Sequence, residues 1–129
     1  MHNTNEMTRI ILLDGSPFLH EVLKKAIDKQ EGLKIVADID DIALYPKTAM
    51  EVEADWTYLL LSPGRKVPIS VQDVIEANPE MGLLVMATDG SSVRVRWVEQ
   101  HEEDLDVEEL AEIFDFLRNK GIPIENNIQ

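Results

Sequence analysis

Four short runs rich in branched apolar residues, at 10–13 (IILL), 33–39 (LKIVADI), 56–61 (WTYLLL) and 83–87 (LLVMA), recur along the chain with a segment able to form a helix between each and the next. Nothing else in the sequence constrains the fold so strongly. Strand–helix–strand units connect parallel neighbours through right-handed crossovers, with helices on the sheet faces. Short runs that stay apolar without alternating suit strands buried on both sides. The first joint, RIILLDGSP, is typical of the pattern. Asp14 ends the strand, Gly15 permits a sharp turn, Ser16 can accept from the first free helix amides, and Pro17 fits the first helical position because its missing N–H has no partner there.

The intervening segments carry helical spacing. Phe18, Leu19, Val22, Leu23, Ala26 and Ile27 form a wide apolar face that Gly32 closes. A second helix is predicted from about Pro46 to Glu53, since Pro46 forbids a regular start before Tyr45. Ser62, Pro63 and Gly64 break the third run and open a loop through Pro68. Ser70 with Asp73 resembles a capping box for a short third helix bearing Val71, Val74 and Ile75, which ends at Asn78-Pro79.

After the fourth run the alternation fails. Asp89-Gly90 is a two-residue hairpin signal, and 93–98 (VRVRWV) alternates, with valines and Trp97 on one face and Arg94 and Arg96 on the other. No room remains for a helix, so this strand should run antiparallel to its predecessor and lie at a sheet edge, where the two arginines face solvent and discourage foreign strands. Residues 99–106 read as a charged loop. Asp106 caps the final helix with Glu109 completing the box, and Leu110, Ile113, Phe114 and Leu117 supply its buried stripe. The expected architecture is an α/β, three-layer, flavodoxin-like fold with a mostly parallel five-stranded sheet and the last strand antiparallel at the edge. One domain spans 9–121, with flexible tails at 1–8 and 122–129.

Composition narrows the function classes. The formal charge is −13, with 25 Asp and Glu against 12 Lys and Arg. Nucleic acid and anionic membranes need net positive surfaces to displace counterions, so neither is expected as a partner; a basic protein is the natural complement, although acidity also serves solubility alone. There is no cysteine, hence no disulfide and no thiolate metal site. No apolar run reaches the roughly 20 residues that span a bilayer, and the start MHNTNEMT lacks the apolar centre of a signal peptide, so a cytoplasmic location is expected.

From Arg9 to about Leu61 the chain resembles a response-regulator receiver domain, the CheY-like family, in its strand spacing and in DGSPFLHEVLKKAI after the first strand. DVEEL at 106–110 is similar to that family's Ser-Pro-Glu-Glu-Leu at its last helix. The resemblance implies phosphoryl transfer to an aspartate closing the third strand, with magnesium on two acids after the first strand, a Thr or Ser after the fourth and a Lys after the fifth. Of these positions only Asp14 retains its chemistry. The second acid falls on Gly15, the phosphoacceptor on Leu60, with Leu59 and Leu61 beside it, the Thr position on Ala87 with Thr88 one place late, and the Lys position near Glu103. Leucine cannot act as a carboxylate nucleophile, and a lone Asp14 supplies too few hard oxygens for magnesium. The family's fourth helix is replaced by the hairpin. The resemblance therefore implies a degenerate pseudo-receiver: an atypical signal-transduction module related to two-component systems that makes protein–protein contacts without catalysis.

Other candidates carry weaker patterns. His20 and His101 lack paired metal-ligand spacing and read as solvated, the acids of 99–109 lack the order of a calcium loop, and the Gly15 turn lacks the further glycines of a nucleotide loop, so no metal or cofactor is expected. Trp56 and Trp97 read as core. A small-ligand sensor is the alternative function, with Asp14, Ser62 and Thr88 lining the crevice at the carboxyl ends of the strands. A contact surface around Arg94, Arg96 and the last helix is the expected interface, including for a homodimer.

Overall fold

The computed structural model of the chain describes residues 7–13, 17–97, 101–104, 106 and 110–118. Its elements in order are β1 (Thr8–Leu13), α1 (Pro17–Asp28), β2 (Leu33–Ile39), a 3-10 turn (Ile42–Leu44), α2 (Tyr45–Glu51), β3 (Trp56–Leu61), α3 (Ile69–Ala77), β4 (Gly82–Ala87), β5 (Val93–Trp97), β6 (His101–Asp104) and α4 (Leu110–Arg118). They build one sheet in the order β2-β1-β3-β4-β5-β6. The first four strands in that order are parallel, and β5 and β6 are added antiparallel. The order of β1 to β5 is that of flavodoxin-like sheets, so an α/β chain with a mostly parallel sheet is what the alternation of runs produced.

Strand pleating sorts the side chains into two cores. Ile10, Leu12, Trp56, Tyr58, Leu60, Leu84, Val93 and Val95 meet Leu23 and Ile27 of α1 and Ile113, Phe114 and Leu117 of α4 on one face. On the other, Ile11, Leu13, Leu59 and Leu83 meet Tyr45 and Ala49 of α2 and Val71 and Ile75 of α3. Trp56 packs its ring at 5.7 Å from that of Phe116, and it lies across Gly82 in the β3–β4 register. A Cβ on Gly82 would stand 2.5 Å from the indole, so that position needs a glycine.

Several expectations are corrected. The sheet has six strands rather than five, and β5 is antiparallel as expected but lies one place in from the edge. The extra strand comes from the segment read as a charged loop. Strand pairing is made by the backbone, and here opposite charges fall in register, Arg94 against Asp104 and Arg96 against Glu102, so a polar segment can join the sheet without apolar side chains. The hairpin loop is longer than the Asp89-Gly90 signal suggests. Ala87 N–H donates to Ser92 O at 3.0 Å, leaving Thr88 to Ser91 as the loop, with Gly90 at φ +77° and Asp89 accepting from Ser91 N–H at 2.8 Å.

α3 begins at Ile69 after Pro68, with Ser70 already inside the helix and no side-chain cap. α2 begins at Tyr45 and ends at Glu51. Val22, assigned to the apolar face of α1, is 44% exposed. Glu109 of the expected Asp106–Glu109 cap and both tails, apart from Met7 and Thr8, lie outside the described residues, as do the side-chain surroundings of Trp97. No helix among the described residues is long and apolar enough to cross a membrane.

Candidate functional site

The carboxyl ends of β3 and β4 lie side by side, with Leu61 paired to Ala87. Immediately beyond them stand Ser62, exposed, and Thr88, half-buried, whose N–H donates to Leu61 O at 2.9 Å. Ser62 O in turn accepts from Arg65 N–H at 3.0 Å, and Gly64 takes φ +81°, which makes Ser62 the first residue of a turn. The fold therefore brings Ser62 and Thr88 to neighbouring strand ends, and no hydrogen bond joins their side chains among the described residues. Asp14, the third member of that crevice, lies outside the described residues, as do Gly15 and Ser16.

Leu60 points into the α1/α4 core and is 4% exposed. Leu59 is buried on the opposite face. Pleating sends consecutive side chains of β3 into one core or the other, so the two positions have no access to solvent chemistry and carry no carboxylate.

Of the histidines, His20 departs from expectation. It is 6% exposed, not solvated. Its Nε2 contacts Asp38 Oδ1 on β2, and Lys24 Nζ lies 3.0 Å from Asp38 Oδ2. One turn of α1 separates His20 from Lys24, so both reach the same carboxylate on the strand beneath. Partial burial pushes the Asp38 carboxyl up, but the hydrogen bonds and charges of Lys24 and His20 outweigh it and hold the group below its ordinary range. The bond to Asp38 raises Lys24 correspondingly. This is a structural clamp between α1 and β2. Among the described residues no cluster of three or more His, Cys, Asp or Glu could hold a metal ion.

A feature that sequence reasoning missed lies on the α2/α3 face. α3 is the last helix over that face among the described residues, and past it a cleft of about 690 Å3 opens along β4, β5 and β6. Leu61, Leu83 and Val85 form its floor. Arg65 and Lys66, from the loop between β3 and α3, and Arg94 and Arg96, from β5, stand around it. Arg94 Nε holds Asp104 Oδ1 at 2.8 Å with both side chains mostly exposed. Arg65 and Lys66 are exposed, and neither has an ion-pair partner among the described residues. The arginine alternation of β5 was visible in the sequence. Its meeting with a basic dipeptide nearly thirty positions upstream is a product of the β3–β4–β5 neighbourhood alone.

No family model, curated protein or solved structure matches the chain.

Proposed function

We propose that this chain is a receiver-like protein-interaction module of signalling or regulation, non-catalytic and not phosphorylated at the usual site, acting in the cytoplasm. The observation that carries the reading is Leu60: at the position where a receiver holds its phosphoacceptor, the chain places a leucine inside the core. The strand order of β1 to β5 agrees with such a scaffold, and the β4–β5 hairpin stands where the family has a helix. A scaffold without its nucleophile keeps its surfaces for contacts. With a formal charge of −13, a basic protein is the partner class favoured at long range. A homodimer through the exposed face of α4 remains part of the reading. One through β5 is withdrawn, because β6 covers that strand.

Incubation with acetyl phosphate and magnesium should leave the intact mass unchanged. Phosphate located on an aspartate would overturn the proposal. An affinity capture at low and moderate salt should yield a partner that salt releases, and a measured turnover would move the protein to another class altogether.

A second reading, a small-ligand sensor, is favoured by the cleft. It adjoins the crevice first assigned to Asp14, Ser62 and Thr88 but lies over the sheet face, and its volume is that of ordinary ligand sites. Stabilisation by a metabolite in a thermal-shift screen is its test.

A further inference from the structure

We infer that the cleft over β4, β5 and β6 is a binding site for a small organic anion, one that joins an apolar or aromatic body to phosphate or carboxylate groups. The inference rests on the sensor reading and adds to it the chemistry of the ligand.

Charge distribution is the first reason. Of 12 Lys and Arg in the whole chain, Arg65, Lys66, Arg94 and Arg96 gather at one cleft on a protein of net charge −13. A protein keeping its surface acidic only for solubility has no cause to concentrate cations. Asp104 offsets one of them through Arg94 Nε, and Arg96 lies opposite Glu102 in the strand register. Arg65 and Lys66 are the excess. They extend from a loop, exposed and without an ion-pair partner among the described residues, and are open to an anion brought from outside.

The shape of the cleft sets the rest of the ligand. Its floor of Leu61, Leu83 and Val85 is apolar, which gives no return to a bare inorganic ion but suits a ring or hydrocarbon. Arginine and lysine then serve different ends, the planar guanidinium fitting a carboxylate or phosphate edge and the ammonium acting as a point charge. The surrounding acidity repels long polyanions such as nucleic acid, whose charge extends beyond the cleft by more than a screening length of about 8 Å at physiological salt. A small anion keeps all of its charge inside the basic ring. The basic protein partner proposed above is attracted by the overall charge, and so it would occupy another surface.

Amide NMR titration of the labelled full chain tests the inference, with ATP as probe and with adenosine and inorganic triphosphate as its two halves. ATP at millimolar concentration should shift the amides of Arg65, Lys66, Ser91, Ser92, Arg94 and Arg96 saturably, and each half alone should bind at least about tenfold more weakly. The double variant Arg65→Ala/Lys66→Ala should weaken ATP by roughly tenfold or more while leaving the melting temperature unchanged, since both side chains are exposed and without an ion pair among the described residues, and the Arg65 N–H bond to Ser62 O is made by the backbone. Three results overturn the inference: no saturable shifts, undiminished binding by the variant, or inorganic triphosphate binding as well as ATP. Shifts produced by a glutamate-rich peptide in place of ATP would reassign the cleft to an acidic protein. Thermal stabilisation by an uncharged metabolite would defeat the anion assignment and leave the sensor reading standing; no stabilisation by any metabolite would remove both.

Discussion

Along β1 and β3 the sheet is covered on both faces, by α1 and α4 on one side and α2 and α3 on the other, whereas along β5, among the described residues, only the α1/α4 side is sealed. Val93 and Val95 reach that core, and Arg94 and Arg96, one residue away in each case, face the open cleft. The two regions use the same backbone geometry to different ends. Where both faces are covered, every residue of a strand must be apolar or satisfied in place, as the Thr57 hydroxyl of β3 is by the Tyr45 hydroxyl of α2 at 2.7 Å. Where one face is open, alternate positions are released from packing and can hold charge. Stability should therefore concentrate in the parallel region and recognition in the antiparallel one.

Substitutions spread across the two regions test that division, beginning with the largest effect. Trp56→Ala removes the ring that packs against Phe116 and Gly82 and should cost about 3–5 kcal/mol in denaturant unfolding. A cost near that of a surface change would mean that the parallel region does not hold the core. Gly82→Val places a side chain against the same indole at the border between the regions, and about 1–3 kcal/mol is expected, with loss of the native near-ultraviolet signal of the tryptophans.

Asp38→Asn breaks the clamp between α1 and β2. About 1–2 kcal/mol should be lost at neutral pH, a value reduced for the 30% of the side chain that water reaches. The pH dependence sharpens this case. The folded-state carboxyl titrates below its ordinary value of 3.8, so its contribution is complete above that pH and disappears as the pH falls through the folded value. The wild-type protein should lose this stability under acid, and the Asn variant should show a correspondingly shallower acid limb in urea midpoints against pH. At the antiparallel end Arg94→Ala removes an exposed ion pair with Asp104 and should cost only about 0.2–1 kcal/mol, less at high salt. A larger loss would show that β6 depends on that pair for its place.

The limits of what could be foreseen follow the same division. The strand at Trp56–Leu61 stands where the sequence places it, because a strand covered on both faces has to be a continuous apolar run with turn residues at its ends. β6 was illegible because His101–Asp104 contains nothing apolar, and its pairing depends on a complementary strand already standing beside it. Ser70 failed as a cap because Pro68, in extended conformation, holds the N-cap place and α3 begins at Ile69, so Ser70 is already inside the helix. His20 looked solvated because its partner Asp38 lies on another element, at a distance that helical spacing cannot report.

By itself, then, the sequence determined the alternation of elements, the parallel sense of the first four strands, the antiparallel turn at Asp89-Gly90 and the absence of a carboxylate at Leu60. These are local properties, carried by period and residue type within a few positions. Tertiary structure alone decided which face Arg65 and Lys66 share with Arg94 and Arg96, how far α3 reaches across the sheet, and which strand becomes the edge. Each of these depends on segments distant in the chain lying side by side, and a linear pattern carries no term for that distance.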